Sequence, residues 1–119
     1  MRLKYTEVKT HRSQQLLEQN NCCALCGEEI IDDAVLDHDH KSGLIRQVLH
    51  RGCNAMLGKI ENNMARNRMD LERLSKWATN IVGYITKTHS DLQHPTYKEK
   101  TMKTAMGRGR GTGKKPPKR

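Results

Sequence analysis

Phenylalanine is absent from these 119 residues, and the aromatic side chains are Tyr5, Trp77, Tyr84 and Tyr97 alone. A chain so short of bulky apolar groups fills one small core at most and needs a staple to hold it. Also missing are a long apolar run and a secretory apolar segment, so neither a membrane span nor a membrane partner is expected, and the cytoplasm is the expected location. In that reducing compartment Cys22, Cys23, Cys26 and Cys53 are expected to bind metal rather than to pair as disulfides. No internal repeat is visible.

Positive charge is plentiful but badly spread. Residues 98 to 119 hold nine lysines or arginines against Glu99, so this segment carries eight of the nine net positive charges and residues 1 to 97 are almost neutral. Its end, GRGRGTGKKPPKR, is rich in Gly and Pro and has no apolar period. Such a composition predicts a disordered tail whose cations attract phosphates. A solubility tail is the plainer alternative, disfavoured because acidic tails serve that purpose better.

The rest of the chain reads as α+β, mostly helical. Good helix formers and the stripe Val8, Leu16, Leu17 predict a helix over 6 to 20. CCALCG at 22 to 27 is a tight cysteine turn. Short apolar runs at 34 to 37 and 44 to 49, separated by KSG, predict a β-hairpin. A helix follows from Arg51, with Leu57 and Ile60 on its buried side, and Asn62-Asn63 are expected to weaken or end it. A longer helix is expected from Asn67 or Asp70 to Thr86, since Leu71, Leu74, Ala78, Ile81 and Ile85 recur every three or four residues. Trp77 and Val82 widen its apolar face, which serves either the core or a second subunit.

Chemistry concentrates in residues 22 to 54. Cys23-x-x-Cys26 and His50-x-x-Cys53 are two ligand pairs, each spaced so that one turn aims both side chains at a common centre. Three sulfurs and one imidazole suit tetrahedral zinc in a closed, structural site. Cys22 could stand in for Cys23, but the x-x spacing favours Cys23 and leaves Cys22 a free thiol.

Asp37, His38, Asp39, His40 and Asn54 remain. Carboxylate and amide oxygens suit Mg²⁺ or Mn²⁺, so Asp37 and Asn54 are the candidate ligands of a second, harder cation. Neighbours on a strand point apart, so Asp37 and His38 face different directions. Hydrolysis of a phosphodiester needs that separation: a base beside the incoming water and a cation near the leaving oxygen. An ordinary imidazole is mostly neutral at cellular pH, which fits His38 as the general base. His40 is assigned to phosphate contact and Asp39 to orienting a histidine.

The run LDHDHKSGLIRQVLHRGCNAMLG, preceded by CxxC, resembles the phage recombination endonuclease VII family, a branch of the HNH or His-Me finger nucleases. The likeness extends loosely over residues 5 to 97 and leaves out the tail. It implies a zinc-stapled ββα-metal core, an intertwined homodimer, resolution of Holliday junctions and other branched DNA, and, for a phage-encoded chain, the host cell cytoplasm. Position by position it implies Asp37 and Asn54 as Mg²⁺ ligands, His38 as general base, and Cys23, Cys26 and Cys53 as zinc ligands. Three residues depart from the pattern. His50 stands where a cysteine is usual, Gln47 replaces a common Gly after Arg46, and Leu57 takes a position that is acidic in some members.

The sequence therefore predicts an N-terminal helical arm over 1 to 21, a zinc site and nuclease core over 22 to 63, an amphipathic helix for dimer contact over 64 to 97, and the basic tail. The expected activity is metal-dependent cleavage of DNA to 5′-phosphate and 3′-hydroxyl ends. Two alternatives are an HNH nicking or homing endonuclease on duplex DNA, and a non-catalytic zinc module that binds nucleic acid. If the tail acts through charge alone, truncation after Tyr97 lowers DNA affinity and flattens its salt dependence while cleavage at saturating DNA is retained. Salt-titrated binding of the full and truncated chains checks this, and loss of cleavage at saturation would give the tail a different role.

Overall fold

Residues 1–87 and 90–100 are described by the computed structural model. The predicted disordered tail lies, from residue 101 on, outside the described residues. In chain order the elements are α1 (Tyr5–Glu18), β1 (Ala34–His38), β2 (Ile45–His50), α2 (Arg51–Arg66) and α3 (Leu71–Thr86). The described residues are thus α+β, with three helices and one two-stranded antiparallel sheet.

The first helix starts where the Glu7 carboxylate accepts the Lys4 backbone N–H at 2.8 Å, satisfying a donor that the first turn leaves free. It stops at Asn20 and Asn21, both left-handed at φ +56° and +62°, a conformation that Asn tolerates better than most residues. The Asn21 N–H then reaches back to the Leu16 carbonyl at 2.9 Å. This reversal turns the chain directly into the cysteine turn, which Gly27 closes at φ +81° with its N–H on the Cys23 carbonyl.

The hairpin pairs Ala34 with His50, Val35 with Leu49 and Leu36 with Val48, and then slips, so that His38 faces Ile45. One extra residue on β2 therefore lies opposite Asp37, a bulge of the kind that re-aims side chains. Consecutive residues Val48 and Leu49 are both buried. Successive strand residues point to opposite faces, so both faces are covered, and α1 and α2 each pack against both strands. The core comprises Cys23, Ile30, Val48 and Leu49, flanked by Leu16, Ala34, Leu36, Cys53 and Leu57.

β2 runs into α2 without a loop. Asp33 receives the Arg51 N–H on its carbonyl at 3.0 Å and on its carboxylate at 3.3 Å, so an acidic group caps the helix where the helix dipole favours one. The helix continues through Asn62 and Asn63 to Arg66, contrary to expectation. Ile60 and Met64 on either side of the pair are partly buried, and packing of that face overrides the weak helix preference of Asn. Arg68, at φ +53°, breaks the path. Asp70 then opens α3 by accepting the Arg73 N–H at 2.9 Å.

Met1–Ile81 forms one compact unit, and a second begins at Val82. In the first, Leu74 and Trp77 of α3 line a hollow of about 280 Å³ with Ile60, Met64 and Met69, and Trp77 stays 46% exposed. No residue of α3 is buried, and Val82 and Ile85 are open as well. In the second unit the Tyr97 N–H closes a turn on the His94 carbonyl at 2.9 Å.

One side chain ties α1 to the sheet. Gln19 donates from Nε2 to the Val48 carbonyl and accepts the Val48 N–H on Oε1, both at 2.9 Å. Val48 is fully buried, so its N–H has no solvent to turn to. Gln19→Ala is expected to lower the unfolding free energy by about 1–3 kcal/mol, the cost of an orphaned buried donor. Denaturant titration of the two proteins measures it, and equal stability would mean that the amide pair adds nothing.

Candidate metal centre and nuclease site

The cysteine turn and the β2–α2 junction are far apart in sequence and meet in space. Cys23 and Cys26 lie in the turn, His50 closes β2, and Cys53 stands in the first turn of α2. Their four ligand atoms lie within 4.8 Å of one another. Tetrahedral zinc, with bonds of about 2.3 Å to sulfur and about 2.0 Å to nitrogen, sets sulfur–sulfur edges near ~3.8 Å and sulfur–nitrogen edges near ~3.5 Å. His50 Nδ1 is 3.4 Å from Cys26 Sγ and 3.9 Å from Cys53 Sγ. The donor set fits the ion.

The orientation of His50 is fixed from behind. Its Nε2 lies 2.9 Å from the Glu29 carbonyl, which can only accept, so Nε2 carries the proton and Nδ1 is the atom turned to the sulfurs. A backbone carbonyl on the outer nitrogen is the usual support of a metal-ligating imidazole. Cys22 is excluded: its Sγ is 3.4 Å from the Asn20 carbonyl, outside the four-residue cluster.

The members of the cluster differ in how readily each gives up its proton. Burial pushes the Cys23 thiol up, but the backbone N–H groups of Cys26, His50 and Leu25 outweigh it and bring the thiol down to about 6. The N–H groups of Leu25 and His50 each lie 3.4 Å from Cys23 Sγ. His50 is raised to about 9, first by the Glu29 carbonyl and then by Cys23. Burial, followed by the thiols of Cys26 and Cys23, pushes Cys53 up to about 12. A metal bound by these four groups would take thiolates and an unprotonated Nδ1, so its uptake would release protons.

The second set of residues sits on and beside β1. Asp37 is 5% exposed and is the one buried charged residue among those described, while the next residue, His38, is exposed, as strand alternation requires. His40 stacks on His38 with centroids 4.7 Å apart and planes 5° from parallel. Asn54 is half-buried in the first turn of α2, next to Cys53. No direct hydrogen bond joins Asp37, His38 and Asn54 among the described residues; Asp37 bonds Arg46 instead.

Asp39 does not orient a histidine. Its Oδ1 accepts the N–H groups of Lys41 at 2.7 Å and Ser42 at 3.1 Å, and these two bonds, Ser42 first, hold its carboxyl below the usual range. Asp39 forms the hairpin turn together with Gly43, at φ +79°. The signal was the D-x-x-S-G spacing, which suits an Asx turn as well as a ligand.

Sequence reasoning also missed a line of charges. Arg46 Nε donates to Asp37 Oδ2 at 2.7 Å, and Arg46 Nη1 and Nη2 donate to Glu61 at 2.9 and 3.4 Å. Glu61 first and Asp37 second push the guanidinium's already high pKa higher. Leu57 packs against the core, so the acidic residue nearest the hairpin from α2 is Glu61, one turn further on. No sequence spacing announces a contact between a bulged strand and the third turn of a helix.

These contacts define a small α+β protein assembled around a Cys₃His cluster that could hold zinc. The chain belongs to the recombination endonuclease VII family, whose model matches residues 1–78, and membership makes it a nuclease. The match stops short of the expected limit at Tyr97. No curated protein matches the chain.

If the cluster holds zinc, metal analysis gives one ion per chain, and a strong chelator lowers the melting temperature sharply. Cys53→Ser is expected to lose zinc, whereas Cys22→Ser keeps it. Unchanged melting after chelation would remove zinc as the staple.

Proposed function

We propose that the protein is a zinc-stapled, Mg²⁺- or Mn²⁺-dependent DNA endonuclease with a ββα-metal core of the HNH or His-Me finger type, made of β1, β2 and α2, and that its substrate is branched DNA such as a Holliday junction. The observation that carries the chemistry is the pair Asp37 and His38: a buried carboxylate and an exposed imidazole on adjacent strand residues, pointing to opposite sides.

Asp37 and Asn54 are the residues that would hold the catalytic cation. Every fully buried polar side-chain atom of the described residues has a hydrogen-bond partner, and Oδ2 is the Asp37 oxygen that Arg46 engages. Oδ1 has no hydrogen-bond partner among the described residues and is therefore not wholly enclosed, which leaves it available to ligate. Only the Cys₃His group gathers three or more ionisable ligands among the described residues. A small hard cation is satisfied with less, since it keeps several waters and uses one or two protein oxygens plus substrate phosphate. When bound, it supplies charge stabilisation at the scissile phosphate and the departing 3′ oxygen.

His38 accepts the proton of the attacking water on an imidazole nitrogen, and its exposure lets the DNA backbone reach it. The stacked His40 donates to a phosphate oxygen and limits the tilt of the His38 ring. Cys53 and Asn54 are adjacent, so zinc held by Cys53 fixes the turn that carries Asn54. Two copies joined through the open apolar row of α3 form a homodimer that sets two such sites on the two strands of a junction.

A cruciform and a matched linear duplex, each incubated with Mg²⁺, test the proposal. The wild type is expected to cut the cruciform in preference, with His38→Ala slowing cleavage by about 10²–10⁴-fold and Asn54→Ala also impaired. Equal cutting of both substrates would make the protein a nicking enzyme on duplex DNA. Absence of cutting by the wild type would leave a zinc module that binds nucleic acid without chemistry.

A further inference from the structure

Arg46 occupies a position that calls for explanation. A nuclease that ligates a divalent cation through Asp37 gains nothing, at first sight, from a guanidinium 2.7 Å away on the same carboxylate. A lone cation there cancels the charge that attracts the metal. Glu61 changes the balance. It sits on the far side of the same guanidinium, at 2.9 Å from Nη1, so the row carries a net single negative charge rather than none.

The geometry adds a second point. Arg46 meets Asp37 through Nε and Glu61 through Nη1 and Nη2, so the two acids hold different parts of one rigid planar fork. The row is anchored at both ends, by β1 through Asp37 and by α2 through Glu61. Rotation of the Asp37 carboxylate would break the Nε bond, which keeps Oδ2 engaged and leaves Oδ1 as the oxygen without a partner among the described residues. The bulge supplies the placement, because the extra residue on β2 lies opposite Asp37. Exposure is graded along the row, from 6% for the Asp37 side chain to 34% for Arg46 and 39% for Glu61. The buried carboxylate is thus the one whose orientation is set by a neighbour rather than by water.

We propose that Arg46 and Glu61 are positioning residues of the catalytic cation site: Arg46 fixes the Asp37 carboxylate so that one oxygen is presented to the cation, and Glu61 neutralises Arg46 so that its charge does not repel that cation. The proposal rests on the reading of Asp37 as a ligand, and it assigns a role in cation affinity to two residues that touch neither the DNA nor the reacting water.

Glu61→Gln removes the negative charge and keeps one oxygen for the shorter Nη1 bond, giving up the longer Nη2 contact. Arg46→Lys isolates the fork, since one ammonium cannot engage both acids as the guanidinium does. The measurement is Mn²⁺ binding to the zinc-loaded protein without DNA, by calorimetry, with zinc content and melting temperature recorded alongside. Both variants are expected to keep their zinc and to weaken Mn²⁺ binding by about 10–100-fold, the usual effect of losing a partner that orients a ligand. In cleavage assays the Mg²⁺ concentration for half-maximal rate rises by a similar factor, while the rate at saturating Mg²⁺ changes little. A purely structural strut would lower the melting temperature without moving either value.

Wild-type Mn²⁺ affinity in Glu61→Gln would overturn the proposal and leave Asp37 as a ligand. Tighter binding in Arg46→Lys would also overturn it, making Arg46 a competitor of the cation. Asp37→Asn provides the separate control: if wild type and Asp37→Asn bind Mn²⁺ equally, it is the ligand reading that fails, and the role of the pair falls with it.

Discussion

Three sulfurs and an imidazole nitrogen drawn within 4.8 Å of one another, a set that could hold zinc, join the cysteine turn to the β2–α2 junction. The turn that carries Cys23 and Cys26 has little apolar surface of its own, and the junction that carries His50 and Cys53 has no loop in which to adjust. Each gains a fixed position from the other. A core of four buried side chains, one of which is the Cys23 ligand itself, gives the hairpin faces something to cover but too little to fix them alone. Staple and core are therefore one structure: the residue that anchors the metal cluster is also packed in the apolar centre. Glu29, through its carbonyl, and the N–H groups of Leu25 and His50 complete the arrangement with backbone atoms, which depend on conformation rather than on side-chain identity.

The same frame explains how chemistry can be carried by so short a stretch. Asn54 follows a cluster residue directly, and Asp37 lies on a strand whose partner ends in His50. Fixing four ligands thereby fixes the start of α2 relative to the hairpin. The two histidines are exposed, while the carboxylate is buried and tied to Arg46. Under the proposed function, softness of the donor atoms separates the two tasks, sulfur for the frame and the oxygens of Asp37 and Asn54 for the catalytic cation.

Much of this was legible in the residues. The paired x-x spacings name the four cluster ligands, the KSG signal marks the hairpin, and the three- and four-residue recurrence of leucine and isoleucine marks α3. Each of these signals is local, set by which side chains a turn, a pleat or a helical repeat brings to one side. What escaped is non-local or ambiguous. Gln19 reads as one more polar helix residue, yet it serves Val48, which is 29 positions away. Asp39 has the same chemistry as Asp37 and goes to a turn. Asn62 and Asn63 are weak helix formers overruled by the packing of Ile60 and Met64, and the bulge opposite Asp37 depends on a register that no composition announces. The joining of Arg46 to Glu61 follows from that register and was invisible for the same reason.

The amide of Gln19 has one more effect. A two-stranded sheet ordinarily offers each outer margin to any passing chain as a template for further pairing. At Val48 that template is already taken, by a side chain that imitates the donor and acceptor of a third strand and by the Ala24 N–H at 3.2 Å on the same carbonyl. Another molecule cannot add itself to the hairpin at that point of β2 without first evicting an intramolecular tenant.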